Sequence, residues 1–331
     1  MRRNATRPAL VLSATVLLCA TGCQTLSSRF LSLMGLSKDP LALALAMDNS
    51  PAAPVEALNP FPRYAALQKA LGDGLGRPVA VDVCFPFQAD LGLTSGLYDV
   101  ADVTTTQYAR LTRPETLRVL AVPADQQGRI TRCAVLVVAA NSPLQVVPGL
   151  RGKIVAFGPA DDPRTHHAAL HLLQREGLAK TDLALEVLPV PGGLKHMPDA
   201  RSVAQTVASG GSDAGFIDEA AWDALPEHAP PADEPARDKL RIIGRTAPVP
   251  DRVIVASPKL PAETVDKVSA LLLAMECDHP DALKPLGIAG FRTPDADAAA
   301  AWRKLILPAE PPPEEPESTD QPATESAPPP S

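Results

Sequence analysis

Residues 151–158 read Arg-Gly-Lys-Ile-Val-Ala-Phe-Gly, residues 161–167 read Asp-Asp-Pro-Arg-Thr-His-His, and residues 210–219 read Gly-Gly-Ser-Asp-Ala-Gly-Phe-Ile-Asp-Glu. Between the second and third stretches lie the paired glycines Gly192 and Gly193 and a helix-like run over 199–209 carrying Val203 and Val207. Read in order, the block predicts strand, helix, strand, helix, strand. The loop entering the first helix presents unpaired N–H groups and the positive end of a helix dipole, which together suit an oxyanion.

Outward from this block the alternation continues. Apolar runs at 41–47, 79–85, 99–103, 117–122, 133–139, 240–243 and 253–256 read as strands. Residues 61–75 have helical periodicity through Tyr64, Leu67, Leu71 and Leu75, and 89–97, 262–277 and 294–305 also read as helices. Such alternation predicts an α/β protein with largely parallel sheets and ligands at the carboxyl ends of strands. Its length predicts two lobes rather than one.

The block at 151–219 resembles the second lobe of the phosphate/phosphonate-type substrate-binding proteins of ABC transporters, the PhnD-like group of type II periplasmic binding proteins. The resemblance rests on Leu150-Arg151-Gly152-Lys153 entering a strand, the Gly158 loop, the paired glycines, Val203 and Val207, and Gly211-Ser212-Asp213-Ala214-Gly215. It extends more weakly over 40–307. It implies two mixed sheets flanked by helices and a hinged cleft. Lobe one is expected over 41–140 and 256–307. Lobe two is expected over 141–255, with crossings near 139–148 and 248–255, the latter at Arg245-Thr246-Ala247-Pro248-Val249-Pro250. The proline-rich stretch 226–235 reads as a surface loop.

The ends of the chain bear on location. Residues 1–22 carry Arg2, Arg3 and Arg7 and then an apolar run over 9–20, the pattern of a secretory signal and too short to span a membrane. Ala20-Thr21-Gly22-Cys23 resembles a bacterial lipobox, which implies lipid on Cys23; Gln24 then favours the outer membrane. Residues 23–40 read as a tether, apolar through Phe30, Leu31, Leu33, Met34 and Leu36. Residues 308–331 hold six acidic residues, nine prolines and no basic residue, a composition that predicts a disordered acidic tail. Without the leader the chain has 28 basic and 38 acidic residues, net −10, and no basic patch interleaved with aromatics, which argues against nucleic acid. Cys84, Cys133 and Cys277 remain after processing, open to one disulfide plus a thiol or to three buried thiols.

The resemblance places ligand contacts on both lobes. In lobe one they fall on Thr104, Thr105 and Thr106, which follow a strand and open a short helix carrying Tyr108; Asn49 and Ser50 are similarly placed. In lobe two they fall on Thr165, His166, Lys195, His196 and Asp218. Thr165 and His166 stand where the family has small hydroxyl residues and glycine. Asp162 before Pro163 is a good helix cap, and a capping carboxylate would occupy the N–H groups an anion needs. Arg164 reads as a source of positive charge or as a solvated side chain.

The expectation is an extracytoplasmic, lipid-anchored, monomeric solute-binding protein that captures phosphate, phosphite or a phosphonate for an ABC permease, with no cofactor. The alternatives are an envelope sensing lipoprotein of the same fold and a metal-dependent hydrolase built on His166, His167 and His171. The last lacks an HExxH pattern, and no nucleophile elbow or phosphate loop is present.

Overall fold

Leu-Ala-Leu-Ala-Leu-Ala forms the first strand, β1 (Leu41–Ala46), and all six residues are buried. Side chains alternate across a strand. Leu41, Leu43 and Leu45 therefore enter one core while Ala42, Ala44 and Ala46 enter another on the opposite face. A strand covered on both faces reads as a continuous apolar run. The computed structural model describes residues 39–47, 60–184, 193–228, 235–295 and 297–307. The expected leader, Cys23, most of the tether, Asn49 and Ser50, the strand before Gly192 and the acidic tail lie outside these residues.

After β1 come α1 (Phe61–Leu75), β2 (Val79–Cys84), α2 (Pro86–Ser95), β3 (Val100–Thr104), α3 (Thr105–Arg110), β4 (Arg118–Ala124) and β5 (Ala134–Ala139). Next are β6 (Val155–Phe157), a π-turn (Pro163–Ala168) running into α4 (Ala169–Arg175), β7 (Lys195–His196), α5 (Ala200–Ala208), β8 (Ala214–Asp218), α6 (Glu219–Ala224) and β9 (Leu240–Arg245). The chain then forms β10 (Arg252–Ala256), α7 (Ala262–Asp278), α8 (Pro280–Leu283), β11 (Gly290–Arg292) and α9 (Ala298–Ile306). Among the described residues no helix is long and apolar enough to cross a membrane.

Two sheets result. One has the order β11-β4-β10-β3-β1-β2 and the other β7-β6-β8-β5-β9. Both are mixed. β1 is parallel to β2 and β3, but β10 runs antiparallel between β3 and β4. β6 is parallel to β7 and β8, but β5 is antiparallel to β8 and β9. The largely parallel arrangement expected from alternation is thus corrected: each chain crossing delivers one strand that must enter its new sheet against the grain.

Sheet membership also moves the boundaries. β5 pairs within the second sheet, so the outbound crossing lies in 125–133 rather than 139–148. β10 pairs within the first, so the return is 246–251. The two crossings are tied to each other. The Arg132 N–H donates to the Val249 carbonyl at 3.1 Å and the Val249 N–H to the Arg132 carbonyl at 2.9 Å.

In the second lobe Leu136 and Val138 of β5 face one core and Val135 and Val137 the other. Gly215 on β8 lets α5 sit close. A Cβ there would lie 2.5 Å from Val203 Cγ1 and 3.0 Å from Val207 Cγ2, so the close approach of the helix needs a glycine at this position. Helix α9 returns over both lobes, with buried Trp302 in the core that holds Tyr108 of lobe one and Ala168 of lobe two.

Cys84, Cys133 and Cys277 are all free thiols; Cys84 is buried, Cys133 half-buried and Cys277 exposed. Of the two alternatives read from the cysteine count, the disulfide is absent, and the three thiols are unpaired as in the second but only Cys84 is buried.

Candidate functional site

The lobes meet along a seam between the carboxyl ends of β3 and β6. On lobe one, Thr104 caps α3. Its hydroxyl accepts from the Gln107 N–H at 3.1 Å, and the Gln107 side chain accepts from the Thr104 N–H. Thr105 is wholly buried and donates its hydroxyl to the Pro250 carbonyl in the return crossing at 2.7 Å. Thr106 reaches across the seam and donates to the Asp161 carbonyl at 2.8 Å. Arg110, one turn on, pairs with the Asp161 carboxylate at 2.9 Å. Tyr108 turns inward and belongs to the core. Thr104, Thr106, Gln107, Arg110 and Asp161, with Phe87, border a cavity of about 270 Å³.

On lobe two, Asp162 saturates the helix start. Its carboxylate accepts from the N–H groups of Arg164 and Thr165 and from the Thr165 hydroxyl at 2.8 Å. Its carbonyl accepts from the His166 and His167 N–H groups, the second of these being the wide bond of the π-turn. Pro163 has no N–H. The orphan donors that would hold an anion at a helix start are therefore already engaged by one aspartate. Gly158 is required beneath, since a Cβ there would fall on the Thr165 hydroxyl. Burial raises the pKa of Asp162, opposed by Arg164 and the Thr165 donors.

His166 and His196 are joined ring to ring at 2.9 Å, His166 Nδ1 to His196 Nε2, above Phe157. His167 packs edge-on against His166. Burial lowers all three pKa values, His166 to about 3, helped by His167 and His196, and His167 to about 4, helped by Arg110. Lys195 donates to the Gly211 carbonyl at 2.9 Å, outside the histidine group. Among the described residues no set of three or more His, Cys, Asp or Glu side chains is arranged to hold a metal ion.

These depressed values have a stability consequence. A base whose folded pKa lies below its unfolded value binds fewer protons when folded. The contribution is complete above about pH 6.5 and is lost as pH falls through the folded values near 4 and 3. The unfolding midpoint should therefore drop between pH 7 and pH 4 more steeply in the wild type than in a His166→Asn/His167→Gln variant. Equal slopes in thermal melts across that range would show that the histidines are not buried neutral.

Sequence reasoning leaves Arg164 open between a source of charge and a solvated side chain, and the structure sets it at the centre. Arg164 is 7% exposed, not solvated. Its Nε lies 2.6 Å from Asp218 Oδ2, off the hydrogen-bond direction, and its terminal nitrogen lies 3.3 Å from Asp251 Oδ1. Burial alone would lower its pKa; Asp251, Asp162 and Asp218 carry it upward. Asp218 also caps α6 through the Ala220 N–H and lies 3.7 Å from Arg132. Asp251 is in the return crossing and Arg132 in the outbound one, so Arg164 pins the lobe-two helix start to the hinge. A second buried pair underlies β3: Asp102 accepts from Arg252 Nε at 2.7 Å and from the Tyr64 hydroxyl at 2.7 Å. The only local signal for either arginine was a cationic residue beside a strand end.

Comparison with known proteins matches this architecture. The model of the family described as ABC transporter, phosphonate, periplasmic substrate-binding protein covers residues 58–299. A search of curated proteins by sequence found no match. Among solved structures, an ATP-bound protein of Xanthomonas citri superposes with a TM-score of 0.60 at 21% identity, covering 80% of this chain and 95% of that one. PhnD1 from Prochlorococcus marinus in complex with methylphosphonate gives 0.55 at 15%, covering 80% and 96%. A binding protein component of an ABC phosphonate transporter from Pseudomonas aeruginosa gives 0.53 at 13%, covering 80% and 85%. These structures share the two-lobed type II binding-protein fold with this chain.

Proposed function

Because the chain belongs to the family of periplasmic substrate-binding proteins of phosphonate ABC transporters, we propose that it is an extracytoplasmic solute-binding lipoprotein. It takes a small oxyanion, a phosphonate, phosphate or phosphite, between its lobes and presents it to an ABC permease. The family match over most of the folded chain carries this reading. The seam supports it with donors from both sides: Arg110 and Thr106 from lobe one, His166 and His196 from lobe two. Asp161 occupies Thr106 and Arg110 in the structure, so a ligand would exchange those contacts for its own. A charge-assisted bond from Arg110 to an oxyanion would be the strong one.

A thermal-shift screen of phosphate, phosphite and methylphosphonate tests this. A ligand at a hundredfold its dissociation constant adds about 2.7 kcal/mol of apparent stability. No shift with any anion would remove the oxyanion assignment. It would favour a second reading, an envelope binding or sensing lipoprotein of the same fold without a transport role, which the self-capped helix start at Asp162 supports.

We further propose that residues 1–22 are removed and Cys23 is lipidated, the outer membrane being the favoured site. Cys23→Ser should abolish incorporation of labelled fatty acid. Labelling that persists in the variant would place the anchor elsewhere.

A further inference from the structure

A cavity larger than the one at the seam, about 410 Å³, opens beside the crossings, lined from lobe one by Leu45, Ala46 and Leu67, from the crossings by Arg132 and Asp251, and from lobe two by Arg164. Pockets of a few hundred Å³ hold drug-sized ligands. A water in the liquid takes about 30 Å³, so phosphate or methylphosphonate alone would fill only a corner of this space. The inner wall is apolar, formed by Leu67, Val83, Ile254 and Phe291. The hinge end is cationic. Five arginines and three aspartates line the cavity. Most of these arginines have fixed partners. Arg252 is bound by Asp102, and Arg164 by Asp218 and Asp251.

Arg132 differs. Among the described residues its guanidinium has one ion-pair neighbour, Asp218, at 3.7 Å, beyond hydrogen-bond reach, and its side chain is three-quarters covered. Five N–H donors of a guanidinium in that position are largely uncommitted, and they face a cavity whose other end is apolar.

We propose that this cavity binds a phosphonate bearing an alkyl or aryl group, with the apolar group against Leu67, Val83, Ile254 and Phe291 and the oxyanion at Arg132. The inference rests on the solute-binding reading above, moves its ligand from Arg110 and Thr106 to this cavity, and narrows it to phosphonates larger than methylphosphonate. The combination selects against inorganic phosphate, which offers nothing to the apolar wall.

Calorimetric titration of the mature protein with methylphosphonate, hexylphosphonate and phenylphosphonate tests the proposal. Each methylene taken from water gives roughly a fourfold gain, so hexylphosphonate should bind at least about tenfold tighter than methylphosphonate. Val83→Phe should abolish most of that difference. Arg132→Gln should weaken all three about tenfold. Saturable binding of methylphosphonate as tight as that of hexylphosphonate would overturn the proposal and leave the solute-binding reading standing. Tight hexylphosphonate binding that a folded Val83→Phe protein retains would place the ligand outside this cavity. Binding of none of the three by wild-type protein would overturn this proposal, and the phosphate and phosphite arms of the thermal-shift screen would then decide the solute-binding reading. The chain-length comparison needs only wild-type protein, so it holds if either variant fails to fold.

Discussion

Asp102→Ala should cost about 3–5 kcal/mol of folding stability, the loss expected when one partner of a buried ion pair is removed. Asp102 is 4% exposed in the middle of the first sheet. Its two carboxylate oxygens hold Arg252 Nε and the Tyr64 hydroxyl, each at 2.7 Å. Arg252 reaches onward to the carbonyls of Ala46 and Asp102. Without the carboxylate a guanidinium stays charged under β1 with only neutral acceptors, since burial opposes its charge and Asp102 is the first group sustaining it. The Tyr64 hydroxyl, whose ionisation burial and Asp102 both suppress, loses its acceptor. The double variant Asp102→Ala/Arg252→Met should recover most of the loss, because removing both charges leaves nothing unpaired. Urea denaturation of the three proteins checks this. A single-variant loss below about 1 kcal/mol, the scale of an exposed pair, would contradict the buried network.

Arg164→Ala is the second large effect, expected at about 2–3 kcal/mol, below the fully buried range of about 3–5 because part of the pair is wet. The Asp251 side chain is 56% exposed and Asp218 19%. Among the described residues Asp218 would keep the Ala220 N–H and, as its one cation, the more distant Arg132, and the lobe-two helix start would lose its tie to the hinge. Arg164→Lys should rescue little, since one ammonium cannot meet two carboxylates in the fork geometry of a guanidinium. Unfolding of both variants by denaturant gives the answer. Full rescue by lysine would mean that charge alone, not the bridging geometry, is what the seam needs.

The parts of this molecule that could be read from sequence are those whose physics is local. The Leu-Ala alternation of β1, the glycine that admits Val203 and Val207, and the Asp162-Pro163 helix start each declare themselves within a few residues. Strand direction does not. The apolar run of β5 reads the same in either lobe, and only its pairing with β8 and β9 places it in the second sheet. The candidate site suffered most. Thr105 was recognisable as a hydroxyl after a strand, but its acceptor, the Pro250 carbonyl, is 145 residues away. Thr165 was recognisable at the helix start, yet its hydroxyl is turned to Asp162. Arg164 looked like a solvated side chain because Asp251, which draws it inward, is 87 residues distant. His166 and His196, 30 residues apart, became a bonded pair only through the parallel alignment of β6 and β7.

The self-capped helix start bears directly on what the cleft can hold. In this chain Asp162 satisfies the donors that a helix start would otherwise offer an anion. Any oxyanion must then rely on side chains, Arg110, Thr106 and the histidines at the seam or Arg132 at the hinge. That dependence makes ligand binding sensitive to ionic strength, since half-exposed charges are screened.

The central claim, that the two-lobed body holds one small phosphorus oxyanion, is tested most directly by equilibrium dialysis of the mature protein against alkylphosphonates and phosphate, with phosphorus assayed on both sides of the membrane. One phosphonate retained per chain, displaced by a second phosphonate in excess, is the predicted result. Equal phosphorus on both sides for every anion, with the protein still folded, would contradict it.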